Sequence, residues 1–437
     1  MLWNYLLIFL CCLLPIFSGY LVCFLLLLYL VYKKFILDVA ELANTARPLL
    51  LDESDKPSFR AKFYTLQKPL FVGLTILIAC FFISSLGSYF QNGSEVKFGV
   101  WLKPFVHLLA KTFVLYTVLV IAFGRIYLDS KVAEKKLHNF GFLSGLLIIA
   151  GIYLIYCLFQ REYGLDWSRG FAAYLPNNRL TGTSYRVSGF MSHPLTLAYN
   201  LCLILTAHLL FLKVRLASLS SPQKAAHGLL LLFLLSILLL SQSRFPFVLT
   251  IISFMAVLSF KKAHLKYLLP LTVFAGIALY IEGSIIERFT HTLKFAEFDR
   301  LKFWKVHLEI FKESPIFGNS PKISAGTLEP FYAKFSYRDK IYTAHNIFIQ
   351  ILANYGIVGF FGFLFFLVKL WQFFKTLAKS ANERSIIVFF FVFVGCNLLQ
   401  NAFYDSEFVY SFWVMICSLG AVVARIDQKN ERLCKNQ

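Results

Sequence analysis

Residues 342–350 are YTAHNIFIQ, and the character of the chain changes within them. Before them, residues 285–344 form a long polar segment, and after them residues 347–373 form an apolar run. A run of this length is sufficient for a helix to cross a bilayer. His345 and Asn346 therefore stand where a polar loop meets a membrane helix, and a titratable imidazole at such a boundary is a candidate for chemistry.

The rest of the 437-residue chain has the composition of a membrane protein. It is 58% apolar and only 15% charged, and its apolar residues gather in runs of about twenty, the length that a spanning helix needs. Such unbroken runs favour helices over barrel strands, in which apolar and polar residues alternate. We predict an all-α polytopic membrane protein, with a single integral membrane domain over residues 1–437 and about eleven or twelve transmembrane helices.

Short loops rich in Lys and Arg are expected on the cytoplasmic side. One orientation places every short basic loop there, and it makes residues 33–68 cytoplasmic and residues 160–192 and 284–345 periplasmic. The predicted spans are one or two in residues 3–32, then 69–89, 104–124, 140–159, 194–211, 225–240, 245–260, 267–281, 347–373, 386–399 and 408–424.

The net charge of +20 is explained by these loops, which face anionic lipid, and we expect no nucleic-acid partner. Eight of the nine cysteines lie inside apolar runs without metal-ligand spacing or a disulfide framework. The close carboxylates Asp405 and Glu407 have no histidine or third carboxylate beside them, so no metal site and no cofactor are predicted.

The basic residues that the cytoplasmic bias does not explain lie on the outer side. Arg244 stands between two apolar runs, where it is either a snorkelling turn residue or a clamp for a phosphate, which guanidinium binds in a bidentate manner. Arg300 belongs to residues 299–312, whose apolar positions 301, 304, 308 and 311 predict an amphipathic helix anchored at the interface by Trp304.

Histidine 345 opens the helix that follows it. The positive end of that helix disfavours a protonated ring and would keep His345 neutral and able to accept a proton, although a structural role is the alternative. Arg186, in the other outer loop, is a further candidate for binding an anion. Lys111, His193 and Asn346 are candidates for a cavity open to the outside; snorkelling of Lys111 and a helix-start role for His193 are the alternatives.

These motifs together carry a resemblance. Ser243-Arg244 at a helix junction, Arg300 followed by Trp304, PIFGN at 315–319, and HNIFIQ at 345–350 leading to YGIVG at 355–359 resemble the O-antigen ligase and O-antigen polymerase superfamily of bacterial membrane glycosyltransferases. The resemblance covers about residues 179–370. The chain differs from the family pattern in having Phe317-Gly318-Asn319-Ser320 where a hydrophobic-Gly-x-Gly sequence is usual.

The resemblance implies a GT-C-like fold in the bacterial inner membrane and a metal-independent transferase whose active site faces the periplasm. The implied donor is a glycan linked to undecaprenyl diphosphate, and the implied acceptor is lipid A-core, as in lipopolysaccharide biosynthesis. By the same resemblance, Arg244 and Arg300 would bind the diphosphate, and His345 would activate the acceptor hydroxyl.

Two other functions remain open from the sequence. An O-antigen polymerase or a protein-directed oligosaccharyltransferase would share these motifs. A lipid-linked glycan transporter would place polar residues near the bilayer midplane and would show paired broken helices in two halves. The suspect residues lie at one surface instead, and no internal repeat is visible, which favours a transferase.

Overall fold

The computed structural model describes residues 55–91, 98–126, 140–164, 185–191, 193–215, 219–259, 300–319, 325–335, 343–380, 383–398 and 400–435. Over these ranges the fold is all-α and has no β-strand, which confirms the predicted class. The predicted spans at residues 3–32 and 267–281 lie outside the described residues, so the total number of spans stays a prediction.

Twelve α-helices occupy the described ranges. They are α1 (Asp55–Gln91), α2 (Phe98–Leu109), α3 (Leu115–Ile126), α4 (Phe140–Tyr163), α5 (Pro194–Arg215), α6 (Ser221–Leu240), α7 (Arg244–Ser259), α8 (300–313), α9 (Ala325–Lys334), α10 (Ile347–Ser380), α11 (Val388–Leu398) and α12 (Ser406–Lys435). A π-helical turn, Ala110–Val114, joins α2 to α3, and 3-10 turns at Arg384–Ile387 and Ala402–Tyr404 precede α11 and α12.

Seven helical segments among the described residues are long and apolar enough to cross a membrane. They are Ala61–Gln91, Trp101–Ile121, Leu146–Tyr163, Pro194–Lys213, Ser221–Leu240, Ile347–Ser380 and Ser406–Ala424. Two shorter apolar helices, Arg244–Leu258 and Arg384–Leu398, coincide with two further predicted spans. The protein is therefore a multi-pass membrane protein.

Several helices extend beyond their predicted ends, and two of them, α1 and α12, do so by more than ten residues. The first, α1, begins at Asp55 rather than at Pro69, so that part of the predicted cytoplasmic segment 33–68 is helical. This helix continues through Pro69. A proline is tolerated inside a membrane helix because neighbouring groups satisfy the carbonyl that it leaves without a helical partner. The last, α12, continues to Lys435, so the basic tail after Ala424 prolongs the helix. Hydropathy marks where the apolar run begins and ends, and a helix is free to continue past that point.

The antiparallel pair α1 and α10 makes the most extensive contact between two helices among the described residues. Small residues let the two backbones approach closely: a Cβ on Gly73 would lie 2.8 Å from the Lys369 Cβ, and a Cβ on Gly362 would lie 2.6 Å from the Cys80 Cβ. Close approach through small residues drives helix association where lipid removes the hydrophobic force. Further along the same pair, the rings of Phe81 and Tyr355 stack with their centroids 4.0 Å apart.

The helix α10 is broken at Gly356, which has φ 61° and ψ −161°. The segment 315–319 (PIFGN) fills the break: the amides of Ile357 and Val358 donate to the carbonyls of Pro315 (2.8 Å) and Ile316 (3.2 Å), and the Asn319 amide donates to Ala353 (3.0 Å). These bonds pair backbone groups that the break leaves without helical partners. The two motifs singled out in the sequence are therefore two halves of one junction.

Side-chain contacts divide the loop ends into two groups. At one end Ser314 Oγ lies 3.0 Å from Gln91 Oε1, and Arg186 Nη2 donates to Ser243 Oγ at 3.2 Å. At the other end Lys213 pairs with Glu383 at 3.1 Å. The first group joins loops that the charge bias predicts to be periplasmic, and the second joins loops predicted to be cytoplasmic. Which end faces which side stays a prediction.

Candidate active site

The segment before α10 holds His345 in an unusual backbone conformation, with φ 49°. Among the described residues, His345 and Gln242 are the two non-glycine residues with positive φ. Such conformations cost about 1–3 kcal/mol and tend to occur at functional sites. The conformation of His345 is supported on one side by Gln350, whose Oε1 accepts the Ala344 amide at 2.8 Å. On the other side, Asn346 caps α10 by accepting the amides of Phe348 (2.9 Å) and Ile349 (3.2 Å).

The imidazole of His345 is half-buried and has two polar neighbours. Its Nδ1 lies 2.8 Å from Gln400 Oε1, and its Nε2 lies 3.3 Å from the Thr343 hydroxyl. Burial lowers the pKa of His345, and the positive charge of Arg300 lowers it further, against the raising effect of the bond to Gln400. The ring is therefore neutral at pH 7 and able to accept a proton.

Arg300 lies within electrostatic range of the two other predicted site residues. It stands at the start of the described part of α8, and its charge acts both on His345 and, repulsively, on Arg244 at the start of α7. All three side chains are half-buried. Arg300 thus lies within electrostatic range of both Arg244 and His345, which are far from it in sequence, and two like charges within this range favour an anionic ligand beside them.

The position of Arg300 is fixed by the packing of α8. One face of α8 buries Phe303, Val306 and Ile310 against α9 and Ala353. The Phe303 ring lies 6.1 Å from the His345 ring, so the same face brings α8 against the start of α10. After α8 ends, the chain turns at Ser314 into the junction with α10.

The face of α8 that packs on the protein is not the one that the sequence singled out. Of the predicted apolar positions, Leu301 and Leu308 are exposed, and Trp304 and Phe311 are half-buried. The helix itself and its end before Pro315 are confirmed. Since α8 has two apolar sides, the outward one remains free to meet the membrane surface, and the interfacial role of Trp304 stays a prediction.

Arg186 contacts Ser243, the residue that precedes Arg244. Its Nε donates to the Ser241 carbonyl at 3.4 Å and its Nη2 donates to Ser243 Oγ at 3.2 Å. The segment around it is held by Gln160, whose Oε1 accepts the Gly189 amide at 2.8 Å. These bonds place a third guanidinium at the same end of the bundle.

The three candidates for a cavity have internal partners. The Lys111 ammonium lies in the π-helical turn, donates to the Tyr404 carbonyl and faces Asp405. The ring of His193 accepts the Leu195 amide at 3.1 Å, in agreement with the alternative of a helix-start residue. Asn346 is buried and caps α10. These contacts account for the three side chains without a cavity, whose existence stays a prediction.

Two residues at the site were missed in the sequence. Gln400, in the turn after α11, contacts His345 directly, and His307 of α8 is fully buried near it. His307 Nδ1 lies 2.8 Å from the Phe303 carbonyl, and burial lowers the pKa of His307 to about 4, so this ring is neutral. Neither residue carries a signal in the sequence: an amide in a turn and a histidine on a helix face are both ordinary.

The carboxylate pair considered for a metal is occupied within the protein. Asp405 accepts a bond from the Thr196 hydroxyl and caps the Glu407 amide at 3.0 Å, and Glu407 is buried. In the part of the chain that the structure describes, no group of three or more His, Cys, Asp or Glu residues is arranged to hold a metal ion.

The fold and this site define a multi-pass membrane protein with a cationic site and a neutral histidine at one end of its helix bundle. A family model described as O-antigen ligase matches residues 229–364, which include Arg244, Arg300 and His345. This match supports the resemblance to the O-antigen ligase and O-antigen polymerase superfamily that the motifs indicated. No curated protein matches the chain.

Proposed function

We propose that this protein is an O-antigen ligase-like glycosyltransferase of the bacterial inner membrane. It moves a glycan from undecaprenyl diphosphate to a lipid A-core acceptor at the periplasmic surface. In the reaction, the bond between the anomeric carbon and the diphosphate oxygen breaks, and a bond forms from the acceptor oxygen to that carbon. The acceptor proton goes to His345, and undecaprenyl diphosphate leaves.

The side chains at the site suit each part of this step. Negative charge develops on the diphosphate as the bond breaks, and preorganised cations at that position lower the barrier. Arg244, Arg300 and Arg186 supply three guanidiniums at one end of the bundle. The neutral imidazole of His345 accepts a proton at pH 7, because burial and Arg300 lower its pKa.

One observation carries the proposal: Arg300 acts electrostatically on both Arg244 and His345. A base and the diphosphate clamp of a glycosyltransferase must lie within the length of one sugar of each other. The electrostatic effect of Arg300 on both Arg244 and His345 supports such an arrangement for three residues from three different elements. A transporter needs no base beside its anion site.

The direct test is glycan transfer by purified protein, with donor lipid and lipid A-core extracted from cells that lack the gene. We expect His345→Ala to reduce the rate by about 10²–10⁴ and Arg244→Ala by about 10²–10³. The matched controls are His107→Ala, an exposed histidine of α2, and Arg384→Ala at the other end of the bundle; both retain the wild-type rate. Full activity of His345→Ala would refute this mechanism.

Two further measurements separate the related functions. Transfer that continues at an unchanged rate with a chelator present supports a metal-independent reaction; loss that added Mg²⁺ restores would refute it. A gel of envelope glycans from a deletion strain identifies the acceptor. Loss of the whole ladder from the core indicates a ligase, whereas a core carrying a single repeat indicates a polymerase.

A further inference from the structure

Gln400 is 55 residues from His345 in sequence, and its Oε1 lies 2.8 Å from Nδ1 of His345. It lies outside the matched segment 229–364. The turn that carries it is held firmly: Asn401 Nδ2 donates to Gln350 Oε1 at 3.0 Å, and the Phe403 amide donates to Asn397 Oδ1 at 2.8 Å. Gln400 thus reaches His345 from a fixed part of the bundle.

The contact decides which nitrogen of His345 is available. An amide oxygen only accepts hydrogen bonds, so Nδ1 must carry the hydrogen. In the neutral ring the lone pair then lies on Nε2, which points toward the Thr343 hydroxyl at 3.3 Å and away from Gln400. Because Thr343 is exposed, this is the side of the ring that an acceptor can approach.

The partner is an amide, and this chemistry affects the charge of the ring. A carboxylate at the same place would stabilise imidazolium, and the ring would then be protonated before the acceptor binds. Two other groups act on His345: the charge of Arg300 opposes protonation, and His307 is neutral. The amide of Gln400 raises the pKa of His345 through its hydrogen bond but adds no opposite charge, so it orients the ring and stabilises imidazolium less than a carboxylate would.

We propose that Gln400 is the positioning residue for the base: it fixes His345 in the tautomer with hydrogen on Nδ1 and aims Nε2 at the acceptor hydroxyl. This inference rests on the proposed transfer reaction. Gln400 acts through His345 and touches neither the diphosphate nor the acceptor.

The first test measures the protonation of His345 without any substrate. Carbethoxylation of His345 in the full-length protein in detergent, followed by mass spectrometry as a function of pH, reports its neutral fraction. We expect Gln400→Glu to raise the pKa of His345 by about 1 or more, because an opposite charge at hydrogen-bond distance stabilises imidazolium. The control, Gln372→Glu on the exposed side of α10, leaves the titration unchanged.

The second test measures transfer by the same proteins. Gln400→Leu lowers kcat by about 10-fold or more at every pH with little change in KM, because the base is misdirected and not lost. Gln400→Glu moves the acidic limb of the rate profile to higher pH, in step with the raised pKa of His345. Gln400→Asn, which keeps the amide on a shorter side chain, retains the wild-type titration and loses part of kcat.

The outcomes separate the two claims. If the wild type transfers glycan while Gln400→Leu keeps full kcat and Gln400→Glu leaves the titration unchanged, the role of Gln400 is wrong and the proposed function stands. If the wild type transfers nothing but Gln400→Glu still shifts the titration, the proposed function is wrong, and the control of His345 by Gln400 stands.

Discussion

His345 combines a positive φ with a lowered pKa. Both depend on neighbours that are distant in sequence, namely Gln350, Gln400 and Arg300. The strain shows that the surrounding structure fixes this residue against its own backbone preference. The contact between Nδ1 and Gln400 Oε1 orients the ring itself, as a general base requires.

The pH dependence of transfer follows from the lowered pKa of His345. The neutral ring is the active form, so the rate stays constant above the pKa of His345 and falls as the pH drops through it. Since burial and Arg300 lower that pKa, we expect the acidic limb to have its midpoint below the ordinary histidine value of about 6.5. A midpoint at or above this value in the rate profile would contradict the assignment.

For single residues, the sequence indicated which charged side chains are candidates for function but not which residues contact them. Arg244, Arg300 and His345 stand out because ionisable groups at membrane boundaries are costly and seldom incidental. Gln400 does not, because its role depends on where the turn after α11 folds. The function of Asn346 at the helix start is visible only when its amide contacts are known.

At the scale of elements, the junction between PIFGN and the break in α10 determines where α8 leads into the bundle. Gly356 has φ 61°, and a Cβ there would lie 2.3 Å from the Ile316 carbonyl oxygen. Gly318 has φ 72°, and its Cβ would lie 2.4 Å from the Asn354 carbonyl. Each glycine is required both by its conformation and by the approach of the other segment.

We therefore expect Gly356→Ala to destabilise the protein by more than about 1 kcal/mol, because alanine is strained at this φ and collides with backbone. Thermal unfolding in detergent measures the loss. Gly228→Ala in α6 is the matched control, since its Cβ meets nothing within 4 Å and alanine favours a helix by about 1 kcal/mol. Equal unfolding temperatures for the two variants would show that the junction contributes nothing.

The predicted elements show where hydropathy succeeds and where it fails. It locates the long helices because an apolar run of sufficient length has few alternatives in lipid. It did not identify the face of α8 that packs on the protein, because α8 carries apolar residues on two sides and periodicity does not tell which one meets protein. It also gave no indication of the break at Gly356, which arises from backbone bonds to a distant segment.

At the scale of the whole molecule, the end opposite the site has its own polar contact. Lys213 is almost fully buried and pairs with Glu383 at 3.1 Å, and its ammonium also donates to Ser385. Burial alone would raise the pKa of Glu383, but hydrogen bonds from Ser385 and Lys213 and the charge of Lys213 hold it below the usual value. This pair connects the end of α5 to the turn before α11.

Replacing Lys213 with Met leaves Glu383 without its cation, and we expect a loss of stability of about 3 kcal/mol. The contribution of the pair is present above the ordinary glutamate pKa of about 4.3 and is lost as the pH falls through the lowered value. Thermal unfolding at neutral and acidic pH measures both effects. The variant retains the wild-type transfer rate at a temperature where it is folded, and a slower rate there would mean that the two ends are coupled.

The proposed transferase reaction requires that Arg244 and His345 share one end of the bundle and that this end faces the periplasm. Single cysteines at Arg244, Thr343 and Lys379, in an otherwise cysteine-free protein, test it by labelling with a membrane-impermeant maleimide in cells with a permeabilised outer membrane. We expect Arg244→Cys and Thr343→Cys to react with the maleimide in intact cells and Lys379→Cys to react only after lysis. Labelling of positions 244 and 343 from opposite sides would contradict it.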